Sequence, residues 1–406
     1  MQKASSRLRA VLHTLGRVVL ALLLAVAALG QLVAWTSPSW WVPLLQYWPV
    51  QYVVLATGVW RDALGVWNVV LVAILLGLLL AIGRARGSGL LRPATVVAAA
   101  VLASSLCLWS YQVVDARQAG ADVGVFAPVV PFLKGTVAPD RSVTVGTVDG
   151  TDLDADLYLP DGAGGGDGVP VVVYVHGGGF TGGAPAPSPY YPPLLERGYA
   201  VLDVSYRLAS PERQTWDTAV ADVGCALTWV TTEGPGVGLD PERVGTMGDS
   251  AGGQLAINAA NLGALDELDP SCRTRGELPE VSAVVAGYPA VDGSAAYDQS
   301  GLGRAYGDQY VGGPPEEYPE RYALTDSVNH LSGDGPPLLI YQGSADHLIL
   351  PGPVRDFARA SQEASTTTRY VELPGQEHTT GGGLGTLSFG DLVGRDLTTQ
   401  WFVEHL

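Results

Sequence analysis

Ser250 stands between glycines in the run MGDSAGGQL, residues 247–255. Gly248, Ser250 and Gly252 match G-x-S-x-G, the pattern of a sharp strand-to-helix turn that lifts a serine hydroxyl clear of its neighbours. Glycine makes up 52 of the 406 residues, so the bare pattern says little and its surroundings must decide. RVGTM (243–247) reads as a strand and SAGGQLAINAANL (250–262) as the helix after it, which is the context such a turn requires. A serine hydroxyl is a weak nucleophile near neutral pH. It needs a base, and the base needs a carboxylate to orient it. Of six histidines, His13 lies in the basic N-terminal stretch and His405 next to the last residue. His330 falls in an aperiodic segment, His347 directly follows Asp346, and His176 precedes three glycines. His378, in LPGQEHTTGG, follows the final strand-like run, and Asp346, in YQGSADHLI, follows another. Ser250, His378 and Asp346 are the candidates for these parts.

A second constellation is VYVHGGGFTGG (173–183). It lacks Gly-Lys-Ser/Thr, and no G-x-G-x-x-G opens a helix ahead of a spaced acidic residue, which argues against a nucleotide site. Backbone amides can approach a substrate oxygen only where no Cβ intrudes, so this loop suits half of an oxyanion hole. The other half is expected from Ala251, whose N–H at the start of a helix is free of the helical ladder. His176 reads as a structural hydrogen-bonding residue. No C-x-x-C or histidine-rich spacing points to a metal, and no cofactor is expected.

Short unbroken apolar runs must hold these loops: 169–175, 199–206, 243–247, 281–288 and 337–343, with 368–373 as a further strand. Such runs suit a sheet covered on both faces. SVTVGTV (142–148) and ADLYLP (155–160) read as an opening hairpin around Asp149-Gly150. Helical stretches fall between the strands at 216–233 and 353–364, which implies a mostly parallel, doubly wound α/β sheet. Residues 289–336 show no clear period and are expected to form a cap-like insertion in a body spanning 141–406.

Ahead of that body lies an apolar head, residues 1–115, with three expected membrane spans at 17–35, 66–83 and 93–114, followed by a linker at 116–140. The second span could extend backward toward Val50, with Arg61 and Asp62 then near its outer end. The first run follows a basic stretch as a signal peptide would, but two further spans favour a retained anchor. Lys3, Arg7 and Arg9 precede span one and Arg17 opens it, and Arg84, Arg86 and Arg92 fill the loop between spans two and three. The intervening TSPSWWVPLLQYWPVQY has neither Lys nor Arg. The expected topology is thus multi-pass in the cell membrane, with a cytoplasmic N-terminus and an extracytoplasmic body.

Charge divides the same way. Residues 1–134 carry a net of +7 and residues 135–406 a net of −24, with 13 Arg and no Lys. A body this acidic argues against nucleic acid or anionic lipid as its partner. Cys225 and Cys272 in the body could form a disulfide in an oxidising space or remain two thiols.

Five stretches, HGGGF, SYRLASPE (205–212), GLDPERVGTMGDSAGGQLA (238–256), PPLLIYQGSADHLI and VELPGQEH, resemble the hormone-sensitive-lipase-like group of α/β-hydrolase esterases. The likeness is closest to small bacterial carboxylesterases and the carbohydrate acetyl esterase and arylformamidase-like branch. The chain order Ser250, Asp346, His378 is also the α/β-hydrolase order. The resemblance implies a serine carboxylesterase acting on small acyl or carbohydrate esters, with Ser250 as nucleophile, His378 as base and Asp346 as its orienter. It also implies an oxyanion hole of the Gly178, Gly179 and Ala251 amides, with Gly177 shaping the loop. Ser205 departs from the Asp found in many relatives. The rival readings are a serine peptidase or amidase on the same fold and a non-catalytic adhesion or sensing protein.

Overall fold

The computed structural model describes residues 2–86, 92–124, 136–164, 168–272, 276–378 and 388–406. Parts of the expected linker (125–135), of the loop at 161–168 (165–167) and of the glycine-rich stretch after His378 (379–387) lie outside the described residues.

The head contains α1 (Gln2–Trp35), the short α2 (Val42–Leu45), α3 (Trp48–Leu64), α4 (Val66–Arg86) and α5 (Arg92–Gln118). Three segments, Thr14–Trp35, Val66–Arg84 and Arg92–Gln118, are long and apolar enough to cross a membrane and match a transmembrane-anchor architecture. At 1.5 Å per residue even the shortest, 19 residues, covers about 28 Å. Leu24, Val72, Leu79, Ala98 and Val101 pack where α1, α4 and α5 meet, while Leu22, Leu23, Ile74 and Leu78 point outward. Trp35 Nε1 donates to Ser104 Oγ at 2.9 Å, and that hydroxyl donates to Gln31 at 2.7 Å, tying α1 to α5.

The sequence left open whether the second span runs back toward Val50. It does not: the helix breaks at Gly65, which adopts φ 50°, a conformation open to glycine. α3 is a separate helix of 17 residues lying against both α1 and the body.

The body is one eight-stranded sheet in the order β1-β2-β4-β3-β5-β6-β7-β8. β1 (Arg141–Val148) and β2 (Thr151–Tyr158) form the opening antiparallel hairpin. Asp149 and Gly150 both take positive φ, as the tight two-residue turn requires. β2 runs antiparallel to β4 (Ala200–Val204), and β3 (Val169–Val175), β5 (Leu239–Asp249), β6 (Val281–Gly287), β7 (Leu338–Gly343) and β8 (Thr368–Leu373) continue in parallel. Alternate side chains feed two cores. Val284, Ala286, Leu338 and Ile340 meet α8 (Ala251–Ala264) and α12 (Pro351–Glu363), on the face that α7 (Ala219–Thr232) also covers. Ala283, Val285, Leu339 and Tyr341 face α6 (Tyr191–Leu195) and α13 (Phe389–His405). Both faces are dry, which is why the central strands read as unbroken apolar runs.

Between β6 and β7 lie α9 (Gly293–Gln299), α10 (Gly301–Tyr310) and α11 (Pro319–Thr325). Each is too short to show a helical period in sequence. Asp292 and Ser300 cap the first two by accepting from Ala295 N and Gly303 N. A disulfide joins Cys225 of α7 to Cys272.

Candidate active site

The loops singled out in the sequence all leave the carboxyl ends of parallel strands: residues 177–179 after β3, Ser250 after β5, Asp346 after β7 and His378 after β8. One rim of the sheet therefore gathers them, as open α/β sheets gather their ligands.

Ser250 occupies the joint between β5 and α8 with φ 54° and ψ −121°, a strained backbone for a residue with a side chain. Its neighbours explain how the turn closes. A Cβ on Gly248 would overlap the Gly252 carbonyl, and one on Gly252 would overlap the Val175 carbonyl. The Ser250 N–H donates to Gly287 O at 2.9 Å, so its backbone is engaged while its hydroxyl faces the rim.

His378 Nε2 lies 3.0 Å from Ser250 Oγ, and His378 Nδ1 lies 2.7 Å from Asp346 Oδ2. Asp346 is fully buried, but its carboxylate is well supplied with donors. Leu348 N and Ile349 N donate to Oδ1 at 2.9 and 2.8 Å, and Gln342 Nε2 donates to Oδ2 at 2.9 Å. This network fixes which carboxylate oxygen faces the imidazole. Burial alone would lower the His378 pKa, but the charge and hydrogen bond of Asp346, helped by Glu377 and Asp249, outweigh it and hold the ring above its ordinary 6.5. Tyr288 meets the imidazole edge-on at 4.8 Å.

The glycine loop faces this array. Gly178 and Gly179 take φ 122° and 62°, and a Cβ on Gly177 would come within 2.9 Å of the Asp249 carbonyl. Thr181 N and Gly182 N donate to Gly178 O at 3.2 and 3.1 Å, turning the loop back on itself. Phe180 stacks on Tyr310 at 3.8 Å and anchors it. Gly177, Gly178, Gly179, Ser250, Ala251 and His378 all line one cavity of about 360 Å³, whose far wall comes from α9, α10 and α11 through Ala296, Tyr306, Tyr310 and Tyr322.

The other described histidines sit elsewhere. His176 stacks on Tyr206 at 4.5 Å with Nδ1 2.8 Å from Gly177 O, and burial lowers its pKa. His330 contacts Leu324 O at 2.9 Å, and His405 packs on Trp401. His347 Nδ1 lies 2.8 Å from Glu377 Oε2.

Several neighbours were not singled out from sequence. Gln342 sits four residues before Asp346, inside the quoted YQGSADHLI, and that spacing along a strand end was the available signal. Asp249, within GDSAGG, accepts from Tyr174 and from Tyr288 at 3.3 Å. Burial pushes both phenols well above their ordinary range, so they stay neutral donors.

Residues 155–359, about half of the chain, match the BD-FAE family model. The chain belongs to the BD-FAE family. The match includes the glycine loop, Ser250 and Asp346 and ends before His378. Esterase LipQ of Mycobacterium tuberculosis is 26% identical over 215 residues, 52% of this chain and 50% of that protein. Esterase LipC of the same organism is 29% identical over 222 residues, 52% of each chain. The chain thus spans about half the length of these curated relatives. A propionate-bound esterase of Thermogutta terrifontis superposes with a TM-score of 0.52 at 22% identity, covering 65% of this chain and 93% of that one, and shares the fold. The BD-FAE match falls within the body.

Proposed function

We propose that this chain is a membrane-anchored serine carboxylesterase acting on small acyl esters. Ser250 is the nucleophile, His378 the general base and acid, and Asp346 its orienter. The amides of Gly178, Gly179 and Ala251 hold the oxyanion, in a loop shaped by Gly177. The observation that carries this reading is the continuous chain Asp346–His378–Ser250, with bonds of 2.7 and 3.0 Å, opening on the glycine-lined cavity.

Ser250 Oγ attacks the ester carbonyl while His378 Nε2 takes its proton. The carbonyl oxygen becomes an oxyanion beside the loop amides, where donors are already aimed and little reorganisation is needed. The C–O bond then breaks, and the alcohol leaves with the proton held on His378. Water, deprotonated by the same nitrogen, attacks the acyl-enzyme and releases the acid. A cavity of about 360 Å³ walled by Phe180, Tyr306 and Tyr310 favours a short acyl group over a long chain. The names of the two curated relatives above, both esterases, agree with ester hydrolysis.

In this reading residues 1–115 anchor the protein, 141–406 form the catalytic domain, and 289–336 cap it. The N-terminus and the Arg84–Arg92 loop are cytoplasmic and the body is extracytoplasmic, where acetylated carbohydrate is a natural candidate substrate. Full-length protein in detergent micelles should hydrolyse p-nitrophenyl acetate and be labelled on Ser250 by a fluorophosphonate. Ser250→Ala should lose both, and full turnover by that variant would end the reading. Protease added to intact cells tests surface exposure: degradation only after lysis or permeabilisation would contradict a body exposed on the cell surface.

A further inference from the structure

The loop that delivers His378 is held in part by the membrane head and in part by the body, where Ser344 Oγ accepts from Gly375 N at 2.7 Å and Ala345 N donates to Gln376 O at 3.0 Å. Between the end of β8 at Leu373 and His378 lie Pro374, Gly375, Gln376 and Glu377. Buried backbone groups need partners, and three of these are supplied by head helices. Gln112 of α5 donates to Pro374 O at 2.8 Å, the Arg61 guanidinium of α3 donates to Gly375 O, and Glu377 N donates to Asp62 Oδ2 at 2.6 Å. Arg61 is itself fixed by Asp62 Oδ1 at 2.7 Å and by Gly30 O of α1 at 2.8 Å. The whole assembly is dry: Arg61, Asp62, Glu377 and His378 are each at most 4% exposed.

The Glu377 side chain completes the link. Its Oε1 accepts from His347 N at 2.6 Å and from His378 N at 3.1 Å, and its Oε2 lies 2.8 Å from His347 Nδ1. It rests directly on α3, because a Cβ added to Gly58 would stand 2.6 Å from Oε2 and 2.9 Å from Cγ. A buried ion pair is a poor source of stability once desolvation is counted, so a buried Arg–Asp pair aimed at a backbone calls for a positional explanation.

We propose that Arg61 and Asp62 are positioning residues for His378, so that the membrane head frames the active site as well as anchoring it. The inference rests on the reading of His378 as the base. A loop free to move by about 1 Å would break either the 3.0 Å or the 2.7 Å contact of the imidazole, and displacements of that size cost about 100-fold in rate.

The test uses full-length protein in detergent micelles, with p-nitrophenyl acetate as substrate. The double variant Arg61→Ala/Asp62→Ala should lower kcat about 100-fold and leave KM within about threefold. The acidic limb of its kcat/KM profile should move to lower pH, since an imidazole displaced from Asp346 loses what holds its pKa up. With the guanidinium gone, Arg61→Ala/Asp62→Asn can turn its amide oxygen to Glu377 N and should recover much of the kcat that the double alanine variant loses. Gly58→Ala leaves the ion pair intact and favours helix, yet pushes on Glu377; it should lower kcat about tenfold with the same limb shift. If the double alanine variant fails to fold, Gly58→Ala decides. A folded double alanine variant or Gly58→Ala with unchanged kcat and an unmoved limb would overturn the positioning role. Loss of turnover in Ser250→Ala and His378→Ala, alongside such unchanged variants, would sink this inference alone. Turnover retained by His378→Ala would instead remove the reading beneath it.

Discussion

Asp346→Asn probes the site at the one bond where hydrogen-bond direction decides the chemistry. Asp346 Oδ1 accepts from two backbone amides, Leu348 N and Ile349 N, at 2.9 and 2.8 Å. An asparagine in this pocket must keep its carbonyl oxygen there. Its NH₂ group then occupies the Oδ2 position, 2.7 Å from His378 Nδ1 and 2.9 Å from Gln342 Nε2. A donor facing Nδ1 forces the neutral imidazole to accept there and to carry its proton on Nε2. That nitrogen, 3.0 Å from Ser250 Oγ, can then no longer take the serine proton. Trapping the wrong tautomer in a serine hydrolase costs about 10,000-fold in kcat, equivalent to about 5.5 kcal/mol of barrier. The pH profile should change as well. With Asp346 ionised, His378 titrates above 6.5, so activity rises with pH through a midpoint above 6.5. Without that charge, burial prevails and the midpoint falls. The assay is the pH dependence of p-nitrophenyl acetate hydrolysis by full-length protein, with gel filtration as a check on folding. A folded Asp346→Asn enzyme keeping a tenth of kcat at pH 8, or an unmoved acidic limb, would refute the reasoning.

Three further outcomes are expected. Gly178→Ala places a Cβ at φ 122° against the Gly182 carbonyl, so the loop must shift and misaim its amides; kcat should fall about 100- to 1000-fold, read from steady-state kinetics. Asp203 is buried, and that burial raises its pKa to about 8, although Ala186 N and Tyr191 Oη each donate to it at 2.8 Å. Its folded pKa lies above its unfolded 3.8, so its contribution is most favourable below about pH 4 and is lost as pH rises through about 8. The wild-type Tm should therefore fall between pH 5 and pH 9 more steeply than that of Asp203→Asn, and parallel curves would contradict the assignment. The disulfide closes a loop with a separation of 47 residues, so opening it in Cys225→Ser/Cys272→Ser should cost about 4 kcal/mol and lower Tm. Intact mass under non-reducing conditions checks that the bridge forms.

The fold was legible wherever one residue pattern answers to one environment. The central strands read as unbroken apolar runs because helices cover both faces of the sheet, and Asp149-Gly150 marked the hairpin through its turn chemistry. The aperiodic stretch 289–336 resolved into helices of 7, 10 and 7 residues, too short for a period to register. α13, with buried residues around much of its circumference, went unassigned, since a helix packed on a sheet, α6 and α3 offers no polar stripe to reveal it. Ser250, Asp346 and His378 could be singled out because each sits just after a strand end, and parallel topology sends all such ends to one rim.

Arg61 and Asp62 show where linear reading stops. In sequence they were an awkward pair of charges in an apolar stretch, a local anomaly without a local cause. Their cause is remote, since the hydrogen bond from Glu377 N to Asp62 spans 315 positions of chain. No spacing rule reaches that far, but a physical one does. Charges buried in a helix between apolar surfaces must be answered by something polar, and here the answering groups are the backbone of the segment bearing His378. A sequence anomaly of this kind marks a contact still to be found, and in this chain the contact joins the membrane head to the candidate base.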